Sequence, residues 1–146
     1  MKRKIIVLTE WFDEKQFYQL KQEAENNFSN AEEVSFLVWV NKSKELESLP
    51  KIEGVNYLTK KDYSFFGKLK NTAIKSMLKN DSSTGLVIAL EKEKPFLKRI
   101  LKNTSLKTMG IESDSSLKFD LSFSETTLKG GDFFKKLDKY LTKIQL

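Results

Sequence analysis

The sequence predicts a single α/β domain over residues 1–146. The expected architecture is three-layered and Rossmann-like: a mostly parallel, twisted sheet of about six strands with helices on both faces. Three observations lead there. Nearly charge-free runs rich in β-branched residues at 4–9, 34–40 and 85–90 read as strands buried on both sides. Segments with apolar residues three and four apart lie between them and read as amphipathic helices. The alternation of the two types supplies the long crossovers that parallel strands need, within the length of one domain.

Lys4 to Thr9 (Lys-Ile-Ile-Val-Leu-Thr) opens the pattern as a buried strand. Asp13 suits the N-cap of a helix reaching about Asn27, whose Phe17, Leu20, Ala24 and Phe28 share one face. Val34 to Val40 is the second strand, so the first three elements read β-α-β. Lys42 to Leu49 forms a short helix ended by Pro50, and Val55 to Thr59 a third strand. An aromatic and basic loop from Lys60 to Lys68 leads into a helix to about Lys79, with Leu69, Ala73, Ile74, Met77 and Leu78 facing inward. After the turn cluster Asn80-Asp81-Ser82-Ser83, Gly85 to Leu90 makes a fourth strand whose lack of charge marks it as central.

Pro95 fits the first turn of the next helix, where its missing N–H is no loss, and Phe96, Leu97, Ile100 and Leu101 give that helix its core face. Leu106 to Ile111 is the fifth strand. Leu117, Phe119, Leu121 and Phe123 alternate with polar residues as a half-buried sixth. Only Glu112 to Ser116 separate the two, too few for a parallel crossover, so the sixth strand is expected to run antiparallel at an edge. Gly130-Gly131 and an Asp132 cap open a final helix bearing Phe133, Phe134, Leu137, Tyr140, Leu141 and Ile144.

Composition removes whole classes of chemistry. Without cysteine the chain has no disulfide, thiol nucleophile or thiolate metal site. Without histidine it lacks the commonest metal ligand and the usual base at neutral pH. A Ser-His-Asp hydrolase, a His-containing zinc site and a His-based phosphotransfer relay are excluded, and neither a metal nor a cofactor is expected. The net charge of +6 rests almost wholly on lysine, arginine standing only at Arg3 and Arg99. Readers of bases and phosphates rely on the planar fork of arginine. The charge therefore permits weak attraction to anionic surfaces without arguing for recognition of nucleic acid. The basic start Met1-Lys2-Arg3-Lys4 precedes an apolar run from Ile5 to Leu8. That run is short of the roughly 7–15 residues of a secretion signal. No stretch reaches the ~18 apolar residues of a membrane span. A cytoplasmic location without membrane contact is expected.

In open α/β sheets ligands gather beyond the carboxyl ends of the strands, where strand order reverses. Those ends carry Thr9, Glu10 and Trp11 for the first strand and Glu91 and Lys92 for the fourth, so Thr9, Glu10, Trp11 and Lys92 are the candidate ligand-binding residues. The plainer reading of Glu10 is a solvated loop acid, with Trp11 and Phe12 covering the first helix. Phosphate signatures are missing: Thr9-Glu10-Trp11-Phe12-Asp13 stands where a GxGxxG turn would, no P-loop occurs, and Lys129-Gly130-Gly131-Asp132 is explained by helix capping. The string Tyr63-Ser64-Phe65-Phe66-Gly67-Lys68 mixes aromatic and basic residues, which can stack on single-stranded nucleic acid, form a protein interface or plug the core. Phe65, Phe66, Gly67 and Lys68 are the candidate interface residues, a core plug being the plainer reading. The carboxylates Glu32-Glu33, Glu91, Glu93 and Asp114 show no spacing that forces metal binding.

Five strings, Tyr63 to Lys68, Gly85 to Leu90, Ser105 to Ile111, Phe119-Asp120-Leu121 and the helix Phe133 to Leu141, resemble a family of short uncharacterised bacterial α/β proteins, a domain of unknown function. The resemblance covers about the last two-thirds of the chain; it implies the same fold and no particular activity. More distantly, the strand Gly85 to Leu90, a helix and a strand ending in Met109-Gly110 look like the N-terminal half of heptosyltransferase-type glycosyltransferases, a likeness of fold alone. Absent histidine, cysteine and phosphate motifs beside abundant aromatics favour a non-catalytic binding or assembly protein, with a protein partner or second copy ahead of nucleic acid. The alternative is a nucleotide or sugar-phosphate binding domain lined by the strand-end residues. A third reading is weak nucleic-acid binding through the lysines.

Overall fold

The computed structural model describes residues 3–64, 68–79, 83–90, 94–111, 119–124, 126–128 and 131–144. Its first strand, β1 (Lys4–Glu10), is buried from Ile5 to Glu10 because it has a parallel neighbour on each side, β2 (Glu33–Trp39) and β4 (Thr84–Ile88). Outside these lie β3 (Val55–Leu58), then β5 (Lys107–Ile111) and β6 (Leu121–Phe123) on the other side. Among the described residues the order is β3-β2-β1-β4-β5-β6 and every pairing is parallel. The lack of charge in the fourth strand does mark a central position, beside β1.

The parallel sixth strand corrects the antiparallel expectation. Among the described residues pairing runs from Leu121, opposite Met109, over three residues. The connection from Ile111 is therefore nine residues long rather than five. It has to bring the chain back over about two strand residues, roughly 7 Å. Just before β6, the Asp120 carboxylate accepts from the Thr108 N–H (2.8 Å) and hydroxyl (3.2 Å), while the Asp120 N–H donates to Thr108 Oγ1 (3.1 Å). Phe119 lies over Gly110, where an added Cβ would sit 2.5 Å from the ring.

The period-two alternation of β1 divides the core. Ile6 and Leu8 join Leu37, Leu86 and Ile88 on one face, under α2 (Thr72–Met77) and α3 (Pro95–Lys102). Ile5 and Val7 join Phe36, Val38 and Val87 on the other, under α1 (Glu14–Asn27) and α4 (Asp132–Ile144). Asp13 caps α1, accepting from the Gln16 N–H at 2.7 Å, and Phe17, Ala24 and Phe28 are buried beneath it. Pro95 opens α3, and Phe96, Leu97 and Ile100 fill the facing core. The segment Ser43–Ser48 is a 3-10 helix. Ala73 points to solvent rather than inward, because α2 is only six residues long and spends its buried position on Ile74.

Asp132 is the first residue of α4 rather than its cap. Its carboxylate accepts from Thr126 Oγ1 at 2.7 Å, which holds it below the usual carboxylate range, and pairs with Lys136 at 3.5 Å. Gly131 precedes it with φ 74°, a left-handed conformation, in contact range of Asn27 and Glu23 on α1. A glycine there lets the start of α4 meet the end of α1 closely.

Candidate functional site

The chain leaves β1 toward β2 and β3 and comes back to β4 on the other flank, so the strand order reverses between β1 and β4. At their carboxyl ends lies a crevice of about 500 Å³, the location where open α/β sheets bind ligands. Thr9 and Glu10 end β1 on its floor, Ala89 and Leu90 follow β4, and Lys94 stands at the N-cap of α3. One wall is the first half of α1; another is the segment Thr127-Leu128, tied to α4 by the Phe133 N–H bonding to the Thr127 carbonyl at 3.0 Å.

Glu10 is the unusual residue of this crevice. It is only 7% exposed, although it ends a strand where a solvated acid is the plainer expectation. Its Oε2 accepts from Asn41 Nδ2 at 2.5 Å, and Asn41 Oδ1 in turn accepts from the indole N–H of Trp39 at 3.0 Å. Trp39 is held by Phe96, stacked at 4.6 Å between ring centroids with 9° between planes. This chain orients one carboxylate oxygen. The other, Oε1, is buried and accepts no hydrogen bond among the described residues, and Lys94 Nζ stands 3.6 Å from it. A buried acceptor left unsatisfied is disfavoured by about 1–3 kcal/mol, more when charged. The ammonium offsets part of that penalty by Coulomb attraction at a distance too long for a hydrogen bond.

Of the ligand-binding candidates, Thr9 and Glu10 reach the crevice together. The Thr9 hydroxyl is turned to the Ala89 carbonyl at 3.3 Å, lacing β1 to β4 at the reversal. Trp11 does not line it. Its N–H donates to the Trp39 carbonyl at 2.8 Å, which carries the β1–β2 ladder one residue further and swings the indole away from β4, onto Phe17 (5.5 Å) and Tyr57 (6.0 Å). Lys92 lies outside the described residues. The cation at the crevice is Lys94, which the sequence could have pointed to: with Pro95 at the first helical position, Lys94 is the cap and faces the strand ends. Phe12 on the lip is 63% exposed.

Of the interface candidates, Phe65, Phe66 and Gly67 lie outside the described residues. Lys68 is exposed at the base of their loop, where its carbonyl accepts from the Ser64 N–H at 2.7 Å and its N–H donates to Ser64 Oγ at 3.0 Å. Tyr63 and Leu69, on either side of this segment, pair with each other and are both buried in the core. Arg99 stands 5.9 Å over the Tyr63 ring, and burial pushes the Tyr63 hydroxyl up to about 12.

Among the described residues no cluster of three or more carboxylates converges as a metal site, and no helix is long and apolar enough to cross a membrane. No curated protein and no solved structure matches the chain, so the likeness to heptosyltransferase-type enzymes finds no support; Met109-Gly110 also lies inside β5 rather than at its end. A family model matches residues 2–144, nearly the whole chain, and the chain belongs to that family, DUF6913, a family of unknown function.

Proposed function

We propose that this protein binds a small polar molecule in the crevice between β1 and β4, with Glu10 as its anchor. The observation that carries the reading is the Oε1 atom of Glu10, buried, without a hydrogen bond, on the floor of the crevice at the reversal of strand order. A ligand O–H or N–H placed there relieves an unsatisfied acceptor, and relief of that kind gives selectivity as well as affinity. The order β3-β2-β1-β4-β5-β6 is that of Rossmann-like dinucleotide-binding sheets, which supports the location though not the ligand. The reading is one of binding: the chain has neither histidine nor cysteine, and an unsatisfied acceptor accounts for recognition of a donor without any chemical step.

The test is a thermal-shift panel of nucleosides, nucleotides, nucleotide sugars and sugar phosphates against the wild type and Glu10→Gln, with circular dichroism as the check on folding. A ligand at a hundredfold excess over its Kd stabilises the folded state by about 2.7 kcal/mol. The expected result is a shift for one class that Glu10→Gln abolishes. A panel without a shift, or shifts indifferent to Glu10, would remove this reading.

A further inference from the structure

Resting on the crevice as a binding site, we infer a chemical class for its occupant: a nucleoside-like molecule, neutral or cationic, with a planar ring and a hydroxyl or amino donor but no phosphate. Three features carry this. The first is the start of α1. In dinucleotide-binding sheets of this strand order, phosphate rests on the N-terminus of the first helix, whose free N–H groups attract anions. Here Asp13 already occupies that end: Oδ1 accepts from the Gln16 N–H at 2.7 Å, Oδ2 from the Gln16 side-chain amide at 3.1 Å, and Glu14 adds a second carboxylate in the first turn. A phosphate arriving there meets two negative charges where it needs donors.

The second feature is the balance of charge on the crevice itself. Among the described residues, Glu10 and Glu23 line it against one lining cation, Lys94, which already stands beside Glu10. The free acceptor at Glu10 Oε1 calls for a donor, which a ribose hydroxyl or an amine supplies and a phosphate at neutral pH does not. The third is Phe12. Its ring is 63% exposed on the lip and makes no aromatic contact among the described residues, while neighbouring Trp11 and Phe17 pack against each other. An apolar ring beside a polar floor suits a ligand with a flat face and a polar edge.

Isothermal titration of adenosine, AMP, ribose and ribose 5-phosphate tests each feature separately. Each phosphate-free member is expected to bind about tenfold more tightly than its phosphorylated partner, the scale of one like-charge contact near the surface. Asp13→Asn keeps a good cap but removes a charge, so it narrows that gap. Phe12→Ala, at an exposed position, weakens adenosine by about tenfold and leaves ribose unchanged. AMP binding as tightly as adenosine overturns the charge preference, and an unaltered adenosine affinity in Phe12→Ala overturns the ring. Silence from all four probes, while some other member of the wider panel gives a Glu10-dependent shift, overturns the class and leaves the site standing. Silence across the whole panel removes both.

Discussion

Replacing Gly110 by alanine tests how the last strand is held. Gly110 is not in a left-handed conformation, so alanine introduces no backbone strain there; what it meets is Phe119. The new Cβ would lie 2.5 Å from Cε2 and 2.6 Å from Cδ2 of that ring. Carbon atoms pack at about 3.5–4.0 Å, so the ring has to withdraw by about 1 Å. Overpacking of this kind destabilises by about 1–3 kcal/mol. Phe119 is joined to Asp120, and its withdrawal strains the three hydrogen bonds between Asp120 and Thr108, each worth about 0.5–1.5 kcal/mol. Urea denaturation and hydrogen exchange at the Thr108 amide would read both effects, with a fall in Tm of roughly 4 °C per kcal/mol. In a Phe119→Ala background the clash is gone, and Gly110→Ala should become neutral or stabilise by about 0.4–1 kcal/mol. An equal loss in the two backgrounds would refute the packing described for β6.

Four further outcomes are expected. Lys94→Met leaves the Glu10 carboxylate without its cation and should lower stability by about 1 kcal/mol, a modest figure because the ammonium is partly solvated; an unmoved urea midpoint would show that the pair contributes nothing. Asp62→Ala removes an acceptor shared by the Thr59 N–H (2.8 Å) and Asn71 Nδ2 (3.0 Å), which should cost about 1–3 kcal/mol and speed amide exchange at Thr59. Tyr63 should ionise near 12, by ultraviolet difference titration against Tyr63→Phe. Because the folded value lies above the unfolded one of about 10, the native state keeps a proton the unfolded chain loses, so its contribution is present below about pH 10 and is lost as pH rises to about 12. The Tyr63 hydroxyl is buried without a partner, so Tyr63→Phe should leave stability near pH 7 unchanged or raise it by about 1 kcal/mol.

The sheet was legible because its strands announce themselves locally. Ile5 to Leu8 and Gly85 to Leu90 have no polar face to offer solvent, so burial on both sides follows from composition alone. The direction of β6 did not follow, because direction depends on where pairing starts, and the alternation from Leu117 to Phe123 looks the same wherever that is. Glu10 was legible as a strand-end residue, whereas its burial depends on Asn41 and Lys94, 31 and 84 positions further along the chain. Trp11 was misplaced for a related reason: whether a residue past a strand end follows one neighbour or the other is decided by a single backbone bond, here to Trp39. The wall at Thr127-Leu128 carries no local signal, since only the fold brings the start of α4 back across the end of β1.

The central position of β1 has a consequence for how the chain is made. β1 can pair with β2 on one side about 30 residues after it is made, but its other edge waits for β4, about 80 residues later, as the Thr9–Ala89 bond illustrates. At ribosomal rates of about 5–20 residues per second, that edge stays open for roughly 4–16 s. During this interval Ile5 to Leu8 presents one open apolar strand edge of the kind that nucleates aggregation. Yield from the cell, more than the stability of the finished fold, should therefore respond to how quickly residues 40–88 are translated, and synonymous codons that slow this stretch should divert protein into the insoluble fraction.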